Sequence, residues 1–312
     1  MRAIRAPIAI LLAFVGFQCA LYAQQDVITF TFNPPTPLSH TLTLKTTKIK
    51  GMGPSDTQTD VGVVKAKVSI TKTSKGYRVV TTPSSISMTR NGTPMPPNPM
   101  VDRLMKVKVT CDLDPSGTMT AVRGYDEVIK TLKEELKTAM PAEQYKSLVA
   151  SLPQIKDAAI AKEIVEWNGR IANFVGRTAK IGDTWVEDQV AQMPFGGPIT
   201  FDMTTKIVEQ AKRGKVDCVR IVFSYTTDAE GTKGFLQGAM DYFAKMAPAG
   251  KAPKIVEVKI IGGGERVVDP KTMMIYSETN DRTITMAMDD PDEGRLQLTM
   301  QEKREYTYQY GK

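Results

Sequence analysis

The stretch that decides the fold is CDLDPSGTMTAVRG, residues 111–124, where a strand-rich region gives way to a helical one. Its D-x-D-x-S-G pattern is how a calcium loop begins, with Asp112, Asp114 and Ser116 at ligand positions. The twelfth position of such a loop needs a bidentate Glu, but this chain has Arg123 there, a cation where the ion requires an anion. The stretch is therefore interpreted as a β-hairpin turn and not as a metal site.

Asp-Pro occurs in this stretch and twice more, at Asp269-Pro270 and Asp290-Pro291, each time between runs of alternating apolar residues. Asp accepts hydrogen bonds from nearby turn amides, and Pro presets φ for the second turn residue. The chain is therefore predicted to use one kind of hairpin turn three times. After the first of these hairpins, Gly124 leads into a helix that is predicted to begin near Tyr125.

Residues 24–124 show the two-residue period of half-buried strands. Asn91-Gly92 is a strong hairpin signal, and the proline-rich residues 93–99 predict a surface loop because Pro donates no ladder hydrogen bond. The predicted strands are VITFTF (27–32), HTLTLKTTKIK (40–50), VGVVKAKVSITKT (61–73), YRVVTTP (77–83), SISMTR (85–90) and RLMKVKVTCDL (103–113).

Residues 125–173 change to a helical period. Val128, Leu132 and Leu136 recur every fourth residue and form an amphipathic stripe. Pro141 and Pro153 are each predicted to start a new helix, because Pro is favoured in the first helical turn. Strands return in residues 178–312, interrupted by one helical insert at about 232–247; they are TWVEDQVAQM, ITFDMTTKIVEQ, VDCVRIVFSYTTD, KIVEVKIIG, GERVVD, TMMIYSE, RTITMAMD and RLQLTMQEKREYTYQY.

Strands, then helices, then strands indicate an α+β fold with chiefly antiparallel pairing. So many strands must curl or split to protect their edges, so we expect a large curved, half-barrel-like sheet packed on the central helical block. A two-sheet β-sandwich with a helical insert is the alternative. Residues 24–312 are predicted to form a single domain.

Residues 1–23 resemble a secretory signal peptide, with Arg2 and Arg5 before an apolar run and cleavage near Ala23. Lipid attachment at Cys19 is disfavoured, because a lipoprotein signal needs small residues just before that cysteine. The mature chain has no apolar run near the roughly 20 residues of a membrane span. The protein is therefore predicted to be exported, to the periplasm or the extracellular space.

The charge distribution argues against a nucleic-acid partner. The formal net charge is +7, but Lys and Arg are spread along the chain and not concentrated on one element. Two cysteines remain after cleavage, Cys111 and Cys218, and an oxidising compartment permits a disulfide between them. Two buried free thiols are the alternative, since the sequence does not supply the Cα separation that a disulfide requires.

Little in the sequence indicates catalysis. His40 is the one histidine, and it lies in an alternating strand where we expect it to be partly exposed. No G-x-S-x-G motif accompanies it, and one His with two distant Cys does not make an ordinary zinc site. The GGGE run at 262–265 lacks a phosphate motif and predicts a strand bend or loop. We therefore expect no catalytic residues, no metal and no cofactor, and a hydrolytic enzyme ranks last among the hypotheses.

Two features point to a ligand, the helical insert and the abundance of methionine. The insert is either a cap on the sheet core or a lid over a hydrophobic ligand, and the chain's 17 methionines suit either an adaptable core or an apolar cavity. The candidate lid residues are Phe235, Leu236, Met240, Phe243 and Met246.

Three segments carry a resemblance: DPSGTMTAVRGYD (114–126), KIGDTW (180–185) and VVDPKTMMIYSE (267–278). Together with the central helices they resemble a family of exported bacterial proteins of unknown function, although Met273 stands where that family commonly has Gly. The shared motifs are mostly structural and bring no activity; their residues are Asp114, Gly117, Gly124, Gly182, Asp183, Trp185 and Asp269. Gly182-Asp183 is predicted to make a tight turn and Trp185 to start a strand with its ring in the core, with a carbohydrate platform as the alternative for Trp185. A curved sheet clasping helices is also similar to bacterial lipoprotein carriers and related lipid-binding envelope proteins.

These observations lead to two function hypotheses. The first is a non-enzymatic exported protein that holds a hydrophobic small molecule or lipid between sheet and helices, with the insert near the mouth. The second is a structural or protein-interaction module of the cell envelope with a filled core.

Overall fold

The computed structural model describes residues 27–51, 57–96, 99–191, 197–246, 253–291 and 294–311. The predicted signal peptide lies outside these residues. The strands are β1 (Ile28–Thr29), β2 (Leu38–Gly51), β3 (Thr57–Thr73), β4 (Gly76–Arg90), β5 (Thr93–Pro94), β6 (Val109–Leu113), β7 (Met119–Arg123), β8 (Thr178–Ala179), β9 (Thr184–Ala191), β10 (Ile199–Arg213), β11 (Val216–Thr227), β12 (Lys254–Val268), β13 (Ile275–Asp290) and β14 (Gly294–Tyr310). The helices are α1 (Pro99–Leu104), α2 (Tyr125–Ala139), α3 (Ala142–Arg170) and α4 (Ala229–Met246).

One large antiparallel sheet dominates the fold. Its order is β7-β6-β4-β3-β2-β14-β13-β12-β11-β10-β9, with β5 paired to β4, while β1 and β8 form a separate two-stranded ribbon. The sheet is open and not closed into a barrel. Its antiparallel strands and the separate block of helices confirm the predicted α+β class. The sandwich alternative is wrong, because β2 and β14 pair along their length and join the strands before and after the helical block into one sheet.

Several strands are longer than predicted. Residues 77–83 and 85–90 are one strand, β4, which stays paired with β3 through a register shift next to Lys65. The predicted segments on either side of residue 280 are likewise one strand, β13. The glycine run is no bend but the middle of β12, paired with β11 on one side and β13 on the other. A side chain at Gly262 would collide with the ring of Tyr225, so this close aromatic packing is what requires the glycine.

Other predicted strands are shorter in the structure, and one predicted helix start is not observed. Of residues 27–32 only β1 is strand, because its one partner, β8, is equally short. Residues 103–108 are not strand: α1 extends through Leu104, and β6 begins at Val109. Pro153 does not start a helix but lies inside α3. Buried Leu152 and the hydrogen bond from Ser151 Oγ to the Leu148 carbonyl oxygen, 2.7 Å, hold the helix together there.

The Asp-Pro turns at Asp114 and Asp269 form as predicted, while residues 292 and 293 of the third lie outside the described residues. Asp114 Oδ1 accepts hydrogen bonds from the backbone N–H and the hydroxyl of Ser116 and from the Thr118 N–H, at 2.6–3.0 Å. Asp112 pairs with Arg78 and with Arg123, the residue that argued against calcium. Asp269 accepts from the Lys271 N–H in the β12–β13 turn. These carboxylates are therefore occupied by the protein itself.

Met273 lies in the β12–β13 turn with a φ of 58°, the left-handed region that favours glycine. Its side chain is nonetheless buried in the core. The buried side chain thus packs in the core from a backbone conformation that glycine would adopt more readily.

The two faces of the sheet differ, because alternate residues of each strand point to opposite sides. We call the face contacted by α3 and α4 the helix face. We call the end with the turns at 74–75, 214–215 and 269–274 the lower end, and the end beneath α4 the upper end. The lower core packs Phe30, Phe174 and the last turns of α3 onto the helix face, whereas a smaller upper cluster lies under α4.

Candidate functional site

The upper cluster is apolar but incompletely covered. Its buried members are Ile255, Val258, Met286 and Met288, and Leu236 and Met240 of α4 pack against them. The neighbouring apolar side chains on the helix face stay half-buried; they are Ile260, Ile284, Leu296, Leu298 and Met300. The space beside α4 therefore presents a half-exposed apolar floor.

Polar contacts hold the first half of α4 in place. Asp228 accepts from the Gly231 N–H at 2.5 Å and so caps the helix, as Asp commonly does. Thr232 is fully buried and donates to the Thr227 hydroxyl at 2.9 Å. Gln237 accepts from the Ile255 N–H at 2.7 Å, which ties the helix to the start of β12. These contacts fix how α4 lies over the upper cluster.

A row of charged residues crosses the helix face directly below the apolar floor. The pairing register aligns Arg90, Asp60, Lys48, Glu302 and Arg282 on five neighbouring strands, from β4 to β13. We call these five residues the charged row. Their charges alternate along it, which is a favourable arrangement for cross-strand neighbours.

Glu302 is the centre of the row. Its side chain is 1% exposed, and it accepts from Arg282 at 3.0 Å and from Arg304 at 2.5 Å, with the Lys48 Nζ 3.5 Å away. Burial alone would raise the pKa of Glu302, but Arg282 and Arg304 outweigh it and lower that pKa below its usual value. Glu302 is therefore ionised at neutral pH, with three cations around one carboxylate.

A second charged group, lower on the same face, anchors α3. Arg170, the last residue of α3, donates to Glu278 at 2.9 Å and to the Tyr308 hydroxyl at 2.6 Å. Arg266 donates to the Arg170 carbonyl oxygen at 2.7 Å and lies between the rings of Phe174 and Phe223. We call Arg170, Arg266 and Glu278 the anchor cluster. A cation on a carbonyl at a helix C-terminus is a stabilising cap, so this cluster is structural.

The candidate lid residues are divided between several environments. Leu236 and Met240 pack on the upper cluster, while Phe235 is half-buried on the same helix. The side chains of Phe243 and Met246 lie outside the described residues. The sequence thus located the helix of the candidate site, and the structure adds the floor and the charged row beneath it.

Cys111 and Cys218 are both free and buried, so the disulfide permitted by the sequence is not formed. They lie on β6 and β11, which are seven positions apart in the strand order. Burial raises the pKa of Cys111 to about 12 and that of Cys218 to about 11. Thiols with such pKa values are poor nucleophiles at neutral pH.

His40 is buried, contrary to the prediction of partial exposure. It lies on the helix face of β2 beside the rings of Tyr308 and Tyr310, with centroids 5.9 and 4.8 Å away. Burial lowers its pKa to about 4, so the imidazole is neutral at neutral pH. Among the described residues its Nδ1 has no hydrogen-bond partner. A histidine enclosed by tyrosine rings is poorly placed to act on a substrate.

The residues of the KIGDTW segment serve the fold. Gly182 has a φ of 96°, and Asp183 accepts from the Lys180 N–H at 2.8 Å, which closes the turn before β9. The rings of Trp185 and Phe174 meet edge-on, with their centroids 5.7 Å apart. The Arg177 guanidinium lies over the Trp185 ring, 5.0 Å from its centroid. Gly117, in the turn between β6 and β7, and Gly124, just before α2, adopt φ values of 85° and 107°.

The charged row was missed in the sequence because its members are scattered from residue 48 to residue 302 and look like ordinary strand charges. The charged row can be recognised only from the pairing register of the assembled sheet. Within the described ranges, no group of three or more His, Cys, Asp or Glu side chains is placed to hold a metal ion. No helix in the same residues is long and apolar enough to cross a membrane.

Comparisons with known proteins give a family but no activity. The model of a family of unknown function (DUF6263) matches residues 56–213. No curated protein matches the chain. A solved structure concerning lipid-protein interactions in lipovitellin is 9% identical with a TM-score of 0.46, and covers 89% of this chain and 25% of that one. The structure of DynF from the dynemicin biosynthesis pathway of Micromonospora chersina is 10% identical with a TM-score of 0.20, and covers 91% of this chain and 86% of that one. Likenesses this weak carry no argument about ligand or function.

Proposed function

We propose that this chain, which belongs to the DUF6263 family of unknown function, is an exported, non-enzymatic protein that binds a hydrophobic ligand or lipid on the helix face, beside α4. The observation that supports the proposal is the half-exposed apolar floor next to α4. Ile260, Ile284 and Leu298 face the side of the sheet that the helices cover, yet they remain half-buried. Apolar side chains are the usual lining of a site for an apolar ligand.

The state of the nucleophilic and basic groups favours binding over catalysis. Cys111 and Cys218 are protonated at neutral pH because burial raises their pKa values, and His40 is enclosed by aromatic rings. Asp114 and Asp269 are occupied in turns. These groups are therefore engaged in the fold, which supports a non-enzymatic role.

The proposal is tested by titration with N-phenyl-1-naphthylamine, a neutral apolar dye whose fluorescence rises in an apolar site. We expect saturable binding by the wild type. Ile284→Asn should weaken binding about tenfold, because it places a polar amide in the floor. Thr285→Asn is the matched control, since Thr285 is the next residue and points to the opposite, solvent-exposed face. Absence of saturable binding by folded wild-type protein would refute the proposal.

A protein-interaction module is the second candidate, favoured by the edge strand β9. Val186 and Val190 are 66% and 52% exposed there, and β10 is the one strand that pairs with β9 among the described residues. The other edge strand, β7, is protected because the Met119 N–H donates to Asn168 of α3 at 2.8 Å. Sedimentation of the wild type and of Val186→Lys/Val190→Lys tests this role. Self-association that the double variant removes would support it, and a monomer in both cases would count against self-pairing at this edge.

A further inference from the structure

We propose that the ligand of the upper helix face is an anionic amphiphile, with a carboxylate or phosphate headgroup that binds at the charged row and an apolar chain that lies on the floor beside α4. This inference rests on the proposed function and specifies its ligand class. It starts from the position of the charged row, which borders the apolar floor on the same face of the same strands.

Cations outnumber carboxylates in and beside the charged row. Three of the five residues in the charged row are cations, and Lys50 and Arg304 lie one register step to either side of it on the same face. Five cations therefore surround two carboxylates, Asp60 and Glu302. Glu166 of α3 also helps to raise the pKa of Arg304, but it is exposed and pairs with Lys162 at 2.6 Å. The surplus positive charge favours an anion at this place.

The cations around Glu302 keep hydrogen-bonding capacity beyond their contacts with that carboxylate. Arg282 uses one Nη to reach Glu302, while its Nε is buried and has no partner in the described part of the chain. The side chains of Arg282, Arg304 and Lys48 are 35%, 26% and 42% exposed. Guanidinium groups that are partly buried but still reachable bind carboxylate and phosphate oxygens in bidentate fashion.

The charged row and the apolar floor are contiguous on the helix face. One register step above Glu302 and Arg282, the helix face presents Met300, Ile284 and Ile260. Beyond them the floor continues into the upper cluster under α4. On β12, Gly262 pairs with Arg282, and the Tyr225 ring occupies the space where a side chain at Gly262 would lie. A headgroup at the row thus directs an attached chain onto the floor.

A purely structural ion network is the competing interpretation, and the anchor cluster shows what one looks like here. Arg266 of that cluster is 5% exposed and enclosed by aromatic rings and a carbonyl oxygen. The cations of the charged row are open by comparison. Among the described residues, aromatic rings flank Arg266 on two sides, whereas no ring lies over Arg282 or Arg304.

The test measures competition for the bound dye by three compounds: dodecyl phosphate, dodecyl maltoside and inorganic phosphate, all below micelle-forming concentrations. We expect dodecyl phosphate to compete about tenfold better than the neutral maltoside, since charge-assisted hydrogen bonds form with one of them alone. Inorganic phosphate should compete far more weakly, because it lacks the chain. Arg282→Gln/Arg304→Gln should abolish the preference for dodecyl phosphate over dodecyl maltoside.

Two further variants separate a built site from general attraction. Arg282→Lys/Arg304→Lys keeps both charges and should retain most of the preference. Arg295→Gln/Lys303→Gln removes two cations from β14 on the opposite face and should leave the preference unchanged.

Each outcome decides one of the two proposals. Failure of the dye to bind refutes the proposed function itself. Dye binding with equal competition by phosphate and maltoside overturns the anionic headgroup, as does an equal loss in the opposite-face control. Competition by inorganic phosphate as strong as that by dodecyl phosphate would show a free-anion site and overturn the amphiphile. Melting curves of every variant confirm that the comparison is between folded proteins.

Discussion

The anchor cluster and the charged row use the same residue types on the same face of the sheet, and they differ in what covers them. In the anchor cluster, Glu278 is buried, and Arg266 caps the C-terminus of α3 between two aromatic rings. In the charged row, Glu302 is equally buried, but the cations around it reach solvent. The difference indicates that enclosure, and not residue type, separates a structural cluster from one that is free to bind.

Electrostatics agree with this distinction. Burial lowers the pKa of Arg266, whereas desolvation of Arg170 is outweighed by Glu278, Tyr308 and Tyr306, which together raise its pKa above the ordinary value. Glu278 thus compensates the buried Arg266 and the largely buried Arg170. Removing it would leave both guanidinium groups without their carboxylate.

The largest expected effect is therefore in the anchor cluster. Glu278→Ala should lower the free energy of unfolding by about 3–5 kcal/mol, because it leaves buried cations uncompensated. Glu305→Ala, on the neighbouring strand, removes a carboxylate from a partly exposed pair with Lys45 and should cost less than about 1 kcal/mol. Urea denaturation of both variants gives the comparison. Equal losses would contradict the assignment of Glu278 as an anchor.

The next effect also belongs to the lower core, and it depends on pH. The pKa of His40 is about 4 in the fold, against an ordinary value of 6.5. The unfolded chain therefore takes up a proton that the folded protein refuses as the pH falls from above 6.5 towards 4. The free energy of unfolding should be highest above that range and should fall by about 3 kcal/mol across it.

His40→Phe provides the check on this pH dependence. Phenylalanine is a neutral ring that fits beside Tyr308 and Tyr310, so the variant should lose the part of the acid destabilisation that comes from position 40. The measurement is the free energy of unfolding at pH 7 and at pH 4.5, by urea denaturation. A wild type and a variant with the same pH dependence would show that His40 is not buried as described.

The smallest effect should come from the charged row. Glu302→Gln should lower the free energy of unfolding by about 1 kcal/mol, because Gln keeps an acceptor and the surrounding cations can turn to solvent. Since the pKa of Glu302 is lowered in the fold, its contribution is present above its ordinary pKa and is lost as the pH falls through the folded value. The Gln variant should lack that loss in acid denaturation curves. A loss as large as that of Glu278→Ala would show that the row is a second anchor and would weaken the ligand proposal.

The sequence predicted the strand and helix classes well, because both rest on local periodicity. The alternation in residues 40–50 and 61–73 corresponds to β2 and β3, and Gly124 precedes α2 as predicted. The resemblance to a family of unknown function is confirmed by the family match over residues 56–213. Errors arose where tertiary contacts overrode a local signal, as at Pro153 inside α3 and at the glycines inside β12.

What the sequence by itself determined is which residues share a face of each strand, where the Asp-Pro turns fall, and where the helices interrupt the sheet. These features follow from periods of 2 and 3.6 residues and from turn chemistry, which act over a few residues. Only the tertiary structure decided that Arg90, Asp60, Lys48, Glu302 and Arg282 form one row. It also decided that the rings of Phe174 and Phe223 enclose Arg266 while Arg282 stays partly exposed. Register between strands far apart in the chain is set by long-range pairing, so the site appears only when β2 meets β14.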